Sequence, residues 1–208
     1  PEGLPVALTV ALSIATKRMS GRNVIVRQLT AVESLGSCTM IASDKTGTLT
    51  VNQQTARIIA LGDGSTFNLT GEGYNGEGDV LPSEKNEKII KSQKDQLDLM
   101  AFAAILANEG TLVKEDDEWK HHGDAMDVAF LSLGYKLGLD SEDIRKQTRI
   151  TGNIAYESER KFSAVFYEQD GQKMVAAKGA VETILDFCSS IIIDGNEADI
   201  NRKDIETI

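Results

Sequence analysis

The sequence has little cysteine, no excess of basic charge and no apolar run long enough to cross a membrane. Its 208 residues include two cysteines, Cys38 and Cys188, which argues against a disulfide framework and fits a reducing compartment. The formal net charge is -10, which argues against nucleic acid as a partner. The 41% hydrophobic and 26% charged residues are ordinary values for a globular chain.

An apolar run near the amino terminus has two interpretations. It covers the 13 residues 3–15, whereas a membrane-spanning helix needs about 20. A signal peptide is a poor interpretation because Lys17, Arg18 and Arg22 follow the run instead of preceding it. A short core helix remains one possibility. The other is the cytoplasmic half of a membrane helix, because basic residues gather on the cytoplasmic side.

Two prolines support the membrane interpretation. Pro1 and Pro5 flank Glu2, so we expect the helix to be broken or unwound there. A carboxylate at a broken helix inside a membrane indicates an ion site.

The most informative segment is residues 44–50, with the sequence Asp-Lys-Thr-Gly-Thr-Leu-Thr. It follows a short apolar stretch, residues 39–43, that predicts a buried β-strand. Open α/β sheets place their chemistry at the carboxyl ends of strands. We therefore expect Asp44 to attack a phosphate, with a tight turn at Gly47 offering free N–H and hydroxyl donors. The alternative is a polar turn after a core strand.

This segment resembles the phosphorylation motif of the P-type cation-transporting ATPases. The resemblance places Asp44, Lys45, Thr46 and Thr48 in the catalytic site, with Asp44 accepting the γ-phosphate of ATP. It also implies that magnesium binds Asp44 and the backbone carbonyl of Thr46. The family completes this site with a glycine-aspartate-glycine-x-asparagine-aspartate motif that does not occur here. We therefore expect no ATP turnover by this chain alone.

The first five residues, Pro-Glu-Gly-Leu-Pro, resemble the ion-binding break in the fourth membrane helix of these pumps. The resemblance makes Glu2 a ligand of the transported cation and favours calcium. It also implies that the chain begins inside a membrane helix of a larger, multi-pass protein.

Further resemblance predicts an ATP site in the second half of the chain. The Lys178-Gly179-Ala180 segment is similar to the family's nucleotide-domain signature, and a glycine before a helix lets an anion approach the backbone. Lys161 matches a second lysine near the phosphates, and Tyr156 an aromatic residue that stacks on adenine. Asp127 matches an acidic contact to adenine, where many members have glutamate. Without the resemblance, an ordinary strand–turn–helix explains the Lys178 segment equally well.

Two other patterns suggest sites that their contexts disfavour. Residues 70–72, Thr-Gly-Glu, match a dephosphorylation motif of the pumps, but they follow Asp44 in a turn-rich region. His121 and His122 lie beside acidic residues, yet sequence neighbours rarely point at one metal ion.

Periodicity and turn chemistry predict the elements. We expect helices over residues 29–36, 96–108, 125–138 and 181–187, strands over residues 24–26, 57–61, 66–69, 162–167 and 173–178, a solvated stretch over 83–92 and an acidic loop over 116–127.

The predicted fold class is α/β (α+β), a partial Rossmann-like phosphorylation domain plus an antiparallel-sheet nucleotide-binding domain with flanking helices. The predicted domains are half of a membrane helix (1–19), the start of the phosphorylation domain (20–53) and the nucleotide-binding domain (54–208). We expect residues 20–208 on the cytoplasmic side, with ATP, magnesium, the cation and the bilayer as partners. The alternatives are a soluble phosphotransferase of the haloacid dehalogenase type and a nucleotide-binding module without chemistry.

Overall fold

A computed structural model describes residues 3–84 and 88–205, without the side chains of Thr46 and Asp204. Glu2, the predicted cation ligand, therefore lies outside the described residues. The chain forms two compact units, Pro1–Val51 and Asn52–Ile208.

The first unit is mainly helical. Its elements are α1 (Gly3–Ser20), α2 (Thr30–Gly36) and a single π-helical turn (Lys45–Leu49). In α1 the hydroxyls of Thr9, Ser13 and Thr16 each donate to the carbonyl four residues earlier, at 2.7 to 2.8 Å, which satisfies them within an apolar helix. Lys17 and Arg18 lie in the last turn, where cations complement the helix dipole. Among the described residues, no helix has both the length and the apolarity to cross a bilayer.

Two strands predicted in this unit are wrong. Residues 24–26 and 39–43 form no strand, although Asp44 itself has an extended backbone. A strand persists only when a neighbour pairs with its N–H and C=O groups, and the described residues of this unit belong to no sheet. Met40 and Ile41 are accordingly exposed rather than buried.

The second unit contains ten strands and five helices in its described part. They are β1 (Ile58–Ala60), β2 (Thr66–Leu69), β3 (Val80–Pro82), α3 (Lys91–Leu106), β4 (Thr111–Glu115), β5 (Glu118–His122), α4 (Ala125–Lys136), α5 (Ser141–Gln147), β6 (Arg149–Glu157), β7 (Phe162–Gln169), β8 (Gln172–Gly179), α6 (Val181–Phe187), β9 (Ser190–Ile193), β10 (Asn196–Asp199) and α7 (Arg202–Ile205).

The strands form four small antiparallel sheets in the described residues, ordered β1-β2-β3, β4-β5, β6-β7-β8 and β9-β10. This mixture of helices and antiparallel sheets confirms the predicted fold class. The hairpins β1-β2 and β7-β8 are confirmed, as are helices α2, α4 and α6. Helix α3 begins five residues before the predicted start, at Lys91.

The predicted acidic loop over residues 116–127 is wrong. Its first residues are the turn and second strand of the β4-β5 hairpin, and Asp116 and Asp117 form that turn with φ of 50° and 64°. Aspartate tolerates this left-handed conformation better than most residues, so the pair serves as a two-residue hairpin turn.

Helix α3 is the central element of the unit. Near its start, Leu97 packs with Phe67 of β2 and Leu133 of α4 in one hydrophobic cluster. Near its end, Leu106 packs with Val165 of β7 and Ala176 of β8 in another. Because one helix contributes to both clusters, the β6-β7-β8 sheet and helix α4, which contains Asp127, both pack against α3.

Candidate active site

Asp44 lies immediately before an irregular turn. Its backbone is extended, with φ of -72° and ψ of 146°, and the chain then enters the π-helical turn. Gly47 has φ of 76°, a conformation that glycine adopts without strain. The side chains of Asp44, Lys45 and Thr48, which the sequence predicts to be catalytic, are exposed to solvent.

Part of the predicted donor set is engaged within the turn. The Gly47 N–H donates to Oγ1 of Thr50 at 3.3 Å, and the Thr50 N–H donates to the carbonyl of Lys45 at 3.1 Å. The expectation that the Gly47 amide is free is therefore wrong in this conformation. A phosphate held by that amide would have to replace the Thr50 hydroxyl as its acceptor.

The second unit gathers the predicted nucleotide residues at one end of the β6-β7-β8 sheet. Glu157, next to Tyr156, pairs with Phe162, and Phe162 pairs with Gly179. The register of β6 shifts between Ile154 and Glu157, so Tyr156 lies at an irregularity and is exposed. Bulges of this kind are frequent next to active sites.

Gly179 allows a close approach of two backbone segments. A Cβ built on Gly179 would lie 2.3 Å from the carbonyl oxygen of Lys161, closer than any side chain tolerates. The next amide, that of Ala180, donates to the same carbonyl at 2.9 Å. Lys161 has φ of 59°, so the turn before β7 is shaped to meet the end of β8. Lys161 and Gly179, both predicted as nucleotide residues, are thus neighbours.

Lys178 is joined to Asp127, the predicted acidic residue of the site. Its Nζ forms an ion pair with Oδ1 of Asp127, and the two side chains are only 16% and 17% exposed. The ammonium group also lies 5.2 Å from the ring centroid of Phe130, one turn further along α4. The Lys178 ammonium group is therefore held by a carboxylate and an aromatic ring at once.

Asp127 is fixed by two residues that the sequence did not single out. Its Oδ2 accepts from the Glu109 N–H at 3.1 Å, and its backbone carbonyl accepts from Nδ2 of Asn108 at 2.8 Å. Arg145 on α5 lies close enough for the Asp127 charge to influence it. Burial lowers the pKa of the Arg145 guanidinium, and the Asp127 carboxylate opposes that shift. No local sequence signal pointed to these residues.

The two patterns that the sequence context disfavours, residues 70–72 and the His121-His122 pair, lie in the loop after β2 and in strand β5. Glu72 pairs with Arg57 at 2.8 Å, and Oγ1 of Thr70 accepts from the Asp79 N–H at 2.8 Å, so residues 70–72 stabilise a turn. His121 and His122 are successive residues of β5 and therefore point to opposite faces. In the part of the chain that is described, no three His, Cys, Asp or Glu side chains are grouped to hold a metal ion.

Two clefts lie elsewhere in the second unit. One, of about 380 Å³, is lined by residues of α3 together with Ile192 and Gly195. The other, of about 220 Å³, is lined by residues that include Glu115, Tyr135 and Asp140. Neither cleft is lined by any of the predicted nucleotide residues.

Comparison with known proteins decides the family. Residues 96–208 match the family described as P-type ATPase, cytoplasmic domain N. The chain belongs to the P-type ATPase family. The matched region contains Asp127, Tyr156, Lys161, Lys178 and Gly179, all the residues predicted to bind nucleotide.

Curated relatives match nearly the whole chain. The chain is 35% identical over 210 residues to the cation-transporting ATPase pma1 of Synechocystis, an alignment that covers 99% of this chain and 23% of that protein. It is 36% identical over 199 residues to a calcium-transporting ATPase of Bacillus subtilis, covering 95% of this chain and 22% of the relative. It is also 32% identical over 192 residues to the human calcium-transporting ATPase type 2C member 2, with coverages of 91% and 20%. This chain thus spans about a fifth of the length of these P-type ATPases.

Proposed function

We propose that this chain is part of an ATP-driven cation pump that forms an aspartyl phosphate on Asp44. The observation that carries the proposal is an exposed aspartate directly before the glycine-containing turn of residues 45–49. It occurs in a chain whose second unit matches the P-type nucleotide domain. That match favours a pump over the soluble phosphotransferase of the haloacid dehalogenase type.

In the proposed reaction, a carboxylate oxygen of Asp44 bonds to the γ-phosphorus of ATP. The bond from that phosphorus to the oxygen of ADP breaks, and ADP leaves with the electron pair. The acyl phosphate keeps much of the free energy of ATP and can bias a two-state conformational cycle. Lys45, Thr46 and Thr48 are the proposed contacts to the phosphate within the turn.

Magnesium is the metal that this chemistry requires, because an anionic carboxylate and an anionic phosphate repel each other. The ion prefers oxygen ligands, usually one or two carboxylates with phosphate oxygens and waters. The exposed carboxylate of Asp44 and the carbonyls of the adjoining turn are oxygen donors of this kind. We propose Asp44 and the Thr46 carbonyl as its protein ligands. When bound, magnesium supplies neutralising charge.

The proposed ATP site is the end of the β6-β7-β8 sheet. Lys178 and Lys161 supply cations for the phosphates, and Gly179 brings the backbone close to them. Asp127 accepts a hydrogen bond from the adenine amino group, and Tyr156 stacks on the ring. Support comes from the clustering of the predicted residues: Lys178 pairs with Asp127, and the Lys161 carbonyl accepts from the amide next to Gly179.

A cation, most simply calcium, is the proposed cargo. Two of the relatives above are named calcium-transporting ATPases. In this proposal Glu2 is a cation ligand in a membrane helix that includes residues 1–19. Residues 20–53 then begin the phosphorylation domain, and residues 54–208 form the nucleotide-binding domain on the cytoplasmic side of the bilayer.

ATP binding by the 208-residue chain tests the proposed site. We expect ATP to shift the amide resonances of Tyr156, Lys161, Lys178 and Gly179. The Lys178→Met variant should bind ATP about tenfold more weakly, because a charge-assisted contact to phosphate is lost. Lys173→Met, at an exposed position of the same strand, is the matched control. Shifts confined to residues outside this end of the sheet would refute the site.

Ion dependence tests the cargo. For the full-length pump in sealed vesicles, we expect calcium to stimulate ATP hydrolysis and to accumulate in an ATP-dependent manner. Stimulation by another cation with no response to calcium would reject calcium and leave the nucleotide site unaffected.

A further inference from the structure

A half-buried arginine, Arg145, holds the loop that precedes β4. Arg145 donates from Nε and Nη2 to the carbonyl of Ile105, at 3.3 and 3.1 Å. Its Nη2 also donates to the carbonyl of Asn108 at 2.8 Å, and its Nη1 to that of Gly110 at 3.0 Å. One side chain on α5 therefore joins the last turn of α3 to the loop that follows it. A lysine could not reproduce all four of these hydrogen bonds, because its ammonium group has only three donors, all on one nitrogen.

The same loop fixes Asp127. The Glu109 N–H donates to Oδ2 of the carboxylate, and the Asn108 side chain donates to the backbone carbonyl of Asp127. Gly110 fits closely against this site, since a Cβ built on it would lie 3.2 Å from Cβ of Asp127. Displacement of the loop would therefore displace the carboxylate.

The carboxylate can discriminate between ligands once it is fixed. Its Oδ1 is paired with Lys178 and its Oδ2 with the Glu109 N–H, and each oxygen has two lone pairs. A carboxylate only accepts hydrogen bonds, so it favours a base edge that presents an amino group and disfavours one that presents a carbonyl oxygen.

We propose that Arg145 is a positioning residue for base selection, holding Asp127 so that the site prefers a nucleotide with an exocyclic amino group. The proposal rests on the function proposed above and adds the specificity of that site. It follows that losing the Arg145 contacts should weaken the preference for ATP over a nucleotide with a carbonyl at the same position.

The test compares ATP with inosine triphosphate, which has a carbonyl oxygen in place of the adenine amino group. Affinities of both nucleotides for the 208-residue chain are measured by calorimetry. We expect the wild-type chain to prefer ATP. In Arg145→Met the ratio of the two affinities should fall about tenfold, the loss expected when a hydrogen bond to a charged group is removed. Arg149→Met is the matched control, because Arg149 is exposed and pairs with Glu168 at the sheet surface.

Combining variants separates positioning from a general structural role. In an Asp127→Ala background, Arg145→Met should change the ratio no further, because the group it positions is absent. An Arg145→Met variant that weakens both nucleotides equally would overturn the proposal. If circular dichroism shows that Arg145→Met does not fold, Arg145→Lys provides the same comparison. If the wild-type chain binds ATP and inosine triphosphate equally well, the proposed role of Arg145 is overturned but the proposed ATP site is not. If the wild-type chain binds neither nucleotide, the proposed function is contradicted as well.

Discussion

Gly179 has no space for a side chain. The Lys161 carbonyl oxygen and Cβ of Phe162 would lie 2.3 and 2.6 Å from an added Cβ, and one of these contacts is to backbone that cannot move aside cheaply. Gly179→Ala should lower the free energy of unfolding by about 1–3 kcal/mol, the usual cost of overpacking. Urea denaturation would measure the change.

Gly152→Ala is the control for this prediction. An added Cβ there meets only Cδ2 of Phe166, at an ordinary 3.7 Å. Its effect should stay within about 0.5 kcal/mol. Equal effects at the two positions would show that the approach of Lys161 to Gly179 is not tight.

Some site residues can be predicted from a local sequence pattern, and others cannot. Lys178 and Gly179 form a local pattern before a helix, so their site could be predicted. Arg145 donates to carbonyls 35, 37 and 40 residues earlier in the chain, and Asp127 pairs with Lys178 across 51 residues. These contacts depend on how α3, α4, α5 and β8 pack, which no local pattern specifies.

Helix α4 begins with a cap that also supports the site. Oδ1 of Asp124 accepts from the Met126 N–H at 2.9 Å, and Asp127 lies in the same first turn. Asp124→Ala should cost about 1 kcal/mol of stability. The variant should also weaken ATP binding about fivefold, the factor that corresponds to a loss of about 1 kcal/mol in the free energy of binding. Chemical denaturation and calorimetry measure the two effects.

Asp63→Ala separates the two effects. Asp63 accepts from the Ser65 N–H at 2.8 Å in the turn between β1 and β2, so the variant should lose stability and keep its ATP affinity. A loss of ATP affinity as large as that of Asp124→Ala would mean that any destabilisation weakens binding.

Elements with local turn signals could be predicted, and those that depend on distant partners could not. The Asp170-Gly171 pair, with φ of 51° and 76°, forms the tight hairpin turn between β7 and β8 that an Asp-Gly sequence predicts. Gly138, with φ of 85°, ends α4 as glycine often ends a helix. Residues 39–43 have the composition of a strand but no pairing neighbour among the described residues. The strand β6 was not predicted: Ile150, Ile154 and Tyr156 fall on one side of an alternating pattern, but Gly152 interrupts that pattern and the register shifts beside it.

At the scale of the whole molecule, the two units differ in how much they bury. No described side chain in residues 3–51 is buried, whereas the second unit has clusters that include the fully buried Leu97, Ile105 and Leu131. Apolar burial is the main source of stability, so the second unit should resist local unfolding far better than the first.

Limited trypsin digestion would measure this difference. Lys17, Arg18, Arg22, Arg27 and Lys45 should be cleaved before any site between residues 149 and 179. Mass spectrometry of the early products identifies the order. Early cleavage at Arg160, Lys161 or Lys173 would contradict the expected stability of the β6-β7-β8 sheet.

The central claim is that Asp44 accepts the phosphate of ATP. Full-length protein is incubated with magnesium and ATP labelled on the γ-phosphate, and the denatured protein is then tested for bound label. We predict an acid-stable, hydroxylamine-labile label that is absent from Asp44→Asn and present in Asp63→Asn, a control at a turn outside the motif. A label that persists in Asp44→Asn would contradict the account.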